Sequence, residues 1–215
     1  MIMQIVINEH NQEHQVTSLV LFYYHDIIVE KQENKLNEVL EMEIIDVTPN
    51  TQKDWERIYA EAFPAYEQRP IAELVALVEQ QDAIKMQVVV DDQTVVGVAY
   101  LCEIGLSKAF LLYFAIDATI QSKGYGSRAL AILKERYEDG LILEAEQMGT
   151  QAENEAQRTR RYDFYMRNGF EDKQLLSENS GGVFHLLAST PDISATEYLQ
   201  AMHALSIEAI VRRDD

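Results

Sequence analysis

Residues 109–137 read AFLLYFAIDATIQSKGYGSRALAILKERY, and the fold turns on how this stretch divides. Its first part, Phe110 to Ile116, is an apolar run too short to cross a bilayer and of the right length for a buried strand. Its last part is helical in period. Leu130, Leu133 and Tyr137 share one face, with Ala129 and Ile132 beside it. Between the two lies Gln121-Ser122-Lys123-Gly124-Tyr125-Gly126. A strand that passes through a glycine-bearing turn into a helix is an anion trap. The first N–H groups of the helix have no internal partner, and the helix dipole favours negative charge there. Gly124 and Gly126 lack the side chains that would hold a phosphate away from those amides.

Three phosphate-loop patterns compete for this turn. The dinucleotide pattern G-x-G-x-x-G is met in part, because Gly124, Gly126 and Ala129 occupy its positions. Glu144 and Glu146 lie about 20 residues on, where that pattern carries an acidic residue for ribose. The G-K-[ST] of the kinase-type loop is absent. The third pattern is Gln-x-x-Gly-x-Gly after an apolar strand. It resembles the pyrophosphate-binding motif of the GCN5-related N-acetyltransferase (GNAT) superfamily, whose first residue is Arg or Gln and here is Gln121. Downstream, Phe164-Tyr165-Met166-Arg167-Asn168-Gly169-Phe170 is similar to the Phe-Tyr-x-x-x-Gly-Phe helix end of that family. One helix and one strand separate the two motifs, as in the family.

The resemblance implies an α/β fold with a mixed, mainly antiparallel sheet, helices on both faces and a splayed central strand pair. It implies acetyl-CoA as co-substrate and a primary amine, of a small molecule or a peptide, as acceptor. The amides from Gln121 to Gly126, with Lys123 and Ser127, would hold the pyrophosphate. The backbone of Phe114, Ala115 and Ile116 would pair with the pantetheine arm and the thioester carbonyl. Tyr165 would give a proton to the departing thiolate, although a core aromatic also fits that position. Arg158 and Arg161 share a helix face with Tyr165 and point to a cofactor phosphate or to solvent.

The segment Leu141 to Glu146 alternates, with Leu141, Leu143 and Ala145 on one face and Ile142, Glu144 and Glu146 on the other. Both glutamates are candidates for the general base, and both are equally suited to binding a cationic acceptor or facing solvent. The resemblance also implies that the helix-loop-helix around residues 63–70 covers the acceptor side of the cleft, which makes Tyr66, Glu67 and Arg69 candidate acceptor contacts, with an ordinary surface loop between two prolines as the competing reading. Two other function classes remain in play: an acyl-CoA-binding sensor without turnover, and a dinucleotide-dependent oxidoreductase.

Composition narrows the field. The 215 residues carry 36 acids against 18 bases, a net charge of −18, which repels nucleic acid and anionic membranes; it suits an amine, and solubility alone also accounts for most of these charges. No apolar stretch is long enough for a membrane span, and the start lacks a signal-type basic region, so a cytoplasmic location is expected. Cys102 is the only cysteine, which excludes an internal disulfide and a cysteine-based metal cage. Its apolar surroundings predict a buried structural thiol. His10, His14 and His25 are irregularly spaced, and no metal site is expected.

Three segments follow: an appendage over 1–41 with a strand hairpin, an acyltransferase domain over 42–190, and a helical extension over 191–215. Within the domain the pattern predicts a strand at Met42–Val47, a helix that starts from the Thr48–Thr51 turn with Asp54 in its first turn and is ended by Pro64, a helix over Ile71–Gln80, and a hairpin of Lys85–Val90 with Thr94–Leu101. A helix over Arg158–Asn168 and a strand pair, Glu171–Leu176 with Val183–Ala188, complete it. The last helix and the appendage are candidate surfaces for a homodimer.

Overall fold

In the computed structural model, which describes residues 42–120, 123–150, 152–192 and 194–214, the apolar runs become strands of one eight-stranded sheet. The strands are β1 (Glu43–Asp46), β2 (Ile84–Asp91), β3 (Thr94–Glu103), β4 (Lys108–Ile116), β5 (Gly140–Glu146), β6 (Glu171–Asn179), β7 (Gly182–Ala188) and β8 (Ala209–Arg213). Their order is β1-β2-β3-β4-β5-β7-β6-β8. Every neighbouring pair is antiparallel except β4 and β5. The hairpin and the three histidines expected within residues 1–41 lie outside the described residues.

Helices cover both faces, as the alternation requires. Helices α1 (Gln52–Ala62), α2 (Ile71–Gln80) and α5 (Ala195–Ala204) bury Trp55, Ile58, Tyr59, Leu74, Leu77, Tyr198 and Met202 against Val88, Val98, Tyr100, Phe110 and Ile142. Helices α3 (Tyr125–Arg136) and α4 (Glu155–Arg167) bury Ala129, Leu130, Leu133 and Tyr165 against Val89, Ala99, Leu101, Leu111, Leu141, Leu143 and Ala145. The two predicted faces of β5 part: Leu141, Leu143 and Ala145 enter one half of the core, Ile142 enters the other, and Glu144 and Glu146 continue the Ile142 face. Burying one such leucine or isoleucine contributes about 1.5–3 kcal/mol. The α4 helix ends in a left-handed Gly169, and Lys134 of α3 donates to the Asn168 carbonyl at 2.7 Å, which caps it.

One irregularity positions everything that follows. The β3–β4 register shifts between Tyr100 opposite Tyr113 and Leu101 opposite Leu111, so Leu112 is an extra residue in β4. Such a bulge bends and twists its strand. Pairing of β4 with β5 ends there, at Leu111 opposite Leu143. Beyond it β4 stays on β3 as far as Ile116 opposite Gly97, and β5 stays on β7 as far as Glu146 opposite Phe184. The expected central splay is this wedge.

Three boundaries differ from the sequence reading. Helix α4 starts at Glu155 rather than Arg158, because its first turn is polar and carries no apolar period. Strand β6 runs through Ser177-Glu178-Asn179, which looked like a turn. It has strands on both sides, β7 and β8, and these hold polar residues in extended form. Residues after Pro191 supply more than a helix. Helix α5 opens with a capping box from Ser194 and Glu197, packs its apolar side into the core, and leads to β8 on the sheet edge. β8 is five residues long and only partly buried, too weak a period to read.

The β2–β3 turn is a two-residue hairpin in which Asp92 (φ 48°) and Gln93 (φ 62°) are both left-handed. Glycine has no steric penalty in that region. Gln93→Gly is therefore expected to raise the melting temperature by about 1–3 °C, the equivalent of roughly 0.5 kcal/mol in a chain of this size. An unchanged or lower melting point by circular dichroism would show that the turn is unstrained.

Candidate active site

The wedge opens into a cleft of about 1380 Å³. Phe114, Ala115 and Ile116 line one wall and Glu144 and Glu146 another. Tyr66, Glu67, Gly124, Tyr125, Gly126, Ser127 and Tyr165 line the same cleft. Lys123 is exposed and not part of the lining, and Gln121 and Ser122 lie outside the described residues.

The turn into α3 has the geometry of an anion site. Gly124 is the N-cap, in the left-handed region at φ 79°, and no side chain caps the helix. The first helical bond runs from the Arg128 N–H to the Gly124 carbonyl at 3.1 Å. The amides of Tyr125, Gly126 and Ser127 precede it and have no helical acceptor. The two glycines are needed for different reasons. Gly124 supplies the backbone conformation, with open space where a Cβ would stand. At Gly126 a Cβ would meet the Phe164 ring at 3.1 Å.

Asp117, which follows β4 directly, anchors this turn. One carboxylate oxygen accepts the Thr119 N–H at 2.9 Å and the Thr119 hydroxyl at 2.7 Å. The other accepts Arg57 from α1 at 2.6 Å. The Thr119 hydroxyl, then Arg57 and the Thr119 amide, hold the carboxyl down at about 2. The chain between β4 and the anion turn is thus tied to the helix that precedes the 63–70 loop. That loop is itself fastened: the Tyr113 hydroxyl donates to the Glu67 carbonyl at 2.9 Å, and Arg69 donates to the Leu205 carbonyl at 2.6 Å.

The two β5 glutamates, indistinguishable in the sequence, have different surroundings. Glu146 is ion-paired with Arg161 at 2.6 Å and Arg158 at 3.2 Å, and accepts from Asn154 at 3.3 Å. Arg158, expected to reach a phosphate or solvent, instead joins Glu146 to the Asn154 side chain and the Gln147 carbonyl. Glu144 has only neutral partners. It accepts from the Tyr198 hydroxyl at 2.6 Å and from Asn179 at 3.1 Å. Burial pushes its carboxyl above the ordinary range, against these donors. Glu67, half-buried, is also raised, by burial first and then by the nearby Glu146 charge. Tyr66, on the same lining, is 74% exposed.

Tyr165 is buried on α4, and its hydroxyl has no hydrogen-bond partner among the described residues. Burial raises its pKa, and Arg161 opposes that weakly, so the phenol stays protonated. Cys102 is buried, its thiol pushed up to about 11 by burial, which leaves it un-nucleophilic. No group of three His, Cys, Asp or Glu among the described residues is arranged to hold a metal ion. No described helix is long and apolar enough to cross a membrane. Four contributors escaped the sequence reading: Asp117, Ser177, Asn179 and Tyr198. No motif marks them, and apart from the local bonds of Asp117 to Thr119 their partners are distant in sequence.

The sequence profile of the acetyltransferase (GNAT) family matches residues 51–170, more than half of the chain. This chain belongs to the GNAT family. A search of curated protein sequences finds no match. Among solved structures, a GNAT-family protein from Bacteroides thetaiotaomicron aligns with a TM-score of 0.62 at 22% identity, over 76% of this chain and 95% of that one. An acetyltransferase from Thermus thermophilus aligns at 0.52 and 15% identity, over 70% and 97%. A spermidine N-acetyltransferase chimera from Vibrio cholerae and a second protein aligns at 0.52 and 18% identity, over 74% and 98%. At these identities the likeness is one of fold. This GNAT protein is an acyltransferase by family, with acetyl-CoA as its co-substrate.

Asp117 gives a pH-dependent test of the anchored turn. A carboxyl held below its unfolded value stabilises the fold above about pH 4, and loses that contribution as pH falls towards 2. Asp117→Asn should therefore lower urea stability at neutral pH, with the gap to the parent narrowing through that acid window. A gap that is constant with pH would show that the carboxylate charge does not hold the turn.

Proposed function

We propose that this GNAT protein is an N-acetyltransferase that moves the acetyl group of acetyl-CoA to a primary amine of a small molecule or a peptide, by direct attack in a ternary complex. One observation carries the reading: a turn with helix-start amides that have no helical acceptor, a buried tyrosine and a glutamate held by neutral donors line a single cleft at the strand splay.

The pyrophosphate of acetyl-CoA would lie on the amides from Lys123 to Ser127, with Gln121 and Ser122 completing the loop. The pantetheine arm would take the place of the missing strand beside Phe114 and Ala115, where β4 has left β5. A main-chain N–H there would stabilise the charge that grows on the thioester oxygen. An alkyl ammonium, with a pKa of about 10.4, must first lose a proton. Glu144 is the base this environment favours, because its raised pKa brings it nearer the working pH. Glu146 is already neutralised by two arginines and serves the cleft wall. As the amine nitrogen bonds to the carbonyl carbon, the C–S bond breaks and sulfur takes the Tyr165 proton. Nitrogen gives up two protons in all: one replaces that of Tyr165 and the other leaves through Glu144 to solvent. The cleft lining carries both signs of charge: Glu67, Glu178 and Glu208 would suit a cationic acceptor, and Arg160 and Arg167 the anionic cofactor.

Tyr165→Phe is expected to lower kcat by about 10²–10⁴ while leaving acetyl-CoA affinity by calorimetry nearly unchanged. Acetyl-CoA binding without thiol release, across polyamines, amino acids, aminoglycosides and peptide N-termini, would instead favour the sensor. Tight NAD binding with no acetyl-CoA binding would reject the assignment altogether. Glu144→Gln should remove the acid limb of kcat/KM, which in the parent should lie above the ordinary carboxylate range. A limb that persists in that variant would reject Glu144 as the base.

A further inference from the structure

We infer that Tyr198, with Ser177 behind it and Asn179 beside it, is a positioning residue for Glu144, so that a segment outside the matched 51–170 region completes the acetyl-transfer site. The inference rests on the reading of Glu144 as the base.

The geometry is that of a directed chain. Tyr198 and Ser177 are both fully buried, and their hydroxyl oxygens are 2.5 Å apart. The Tyr198 hydroxyl is also 2.6 Å from Glu144 Oε1. A carboxylate only accepts and a phenol has one proton, so Tyr198 donates to Glu144 and Ser177 must donate to Tyr198. Asn179 Nδ2 donates to the same oxygen at 3.1 Å. Both donors therefore fall on Oε1, and the incoming proton is directed to Oε2. The frame behind them is stiff. The Tyr198 ring packs edge-to-face on Phe110, 5.3 Å between centroids. Ser177 and Asn179 sit on β6 between β7 and β8.

The chemistry of the frame suits a base. α5 presents Tyr198, β6 presents Ser177 and Asn179, and β7 places Leu186 opposite. None of these carries a charge. Neutral donors orient a carboxylate and stabilise its anion without an ion pair, which would hold the proton affinity too low for base catalysis. Glu146, one pleat away, is instead ion-paired with Arg158 and Arg161.

The test is the acid limb of kcat/KM in three full-length variants, each checked by thermal melting. Removing the Tyr198 hydroxyl disfavours the anion. Tyr198→Phe should therefore move the limb up by about 1 pH unit, with KM for acetyl-CoA unchanged. Ser177→Ala should move it the same way by less, and it takes over the test if Tyr198→Phe does not fold. A limb that stays in place in a folded Tyr198→Phe or Ser177→Ala variant, while Glu144→Gln abolishes it, overturns this inference and leaves Glu144 as base. Parental rate and limb in Glu144→Gln overturn the base assignment itself.

Discussion

Two parallel strands part company after Leu111 and Leu143, and the rest of the site depends on that separation. A strand edge inside a sheet normally has every N–H and C=O paired. Here the bulge at Leu112 turns β4 away, and its far edge, from Leu112 to Ala115, faces a cleft instead of β5. The molecule tolerates this because β3 holds the outer edge of β4 from Ala109 to Ile116 and β7 holds that of β5 from Ile142 to Glu146. The cleft is a gap in the sheet with a rigid frame, suited to an extended ligand arm that supplies the absent hydrogen bonds.

The loops on either side of the gap are fastened to the same helices. Arg57 of α1 reaches Asp117 ahead of the anion turn, while Tyr59 of α1 hydrogen-bonds the backbone of Arg69 in the 63–70 loop. Arg69 in turn reaches the end of α5. The 63–70 loop, the segment ahead of the turn into α3 and the C-terminal helix are therefore linked through short polar contacts rather than left to move independently. The apolar side of α5, a candidate dimer surface in the sequence, is used within the chain's own core.

Electrostatics then divides the labour between residues of the same type. Glu144 and Glu146 are two positions apart on one strand face, yet one is held by a phenol and an amide and the other by two guanidiniums. Burial raises the proton affinity of Glu144 against its neutral donors. The family profile ends at residue 170, but three of the side chains that create this difference, Ser177, Asn179 and Tyr198, come later.

Main-chain features were legible in the sequence because they depend on neighbours. The apolar run to Ile116, the glycines at 124 and 126, the helical period through Leu133 and the alternation of β5 all follow from local sterics and from periods of two and 3.6 residues. They led to the fold, the anion turn and the family. Strand β8 and the true length of β6 were not legible, since partly polar strands take their form from the strands beside them. The environment of each candidate residue was not legible either. Whether a glutamate meets an arginine or a tyrosine 54 residues away is decided by which elements pack together, and the chain closes that distance only when it folds.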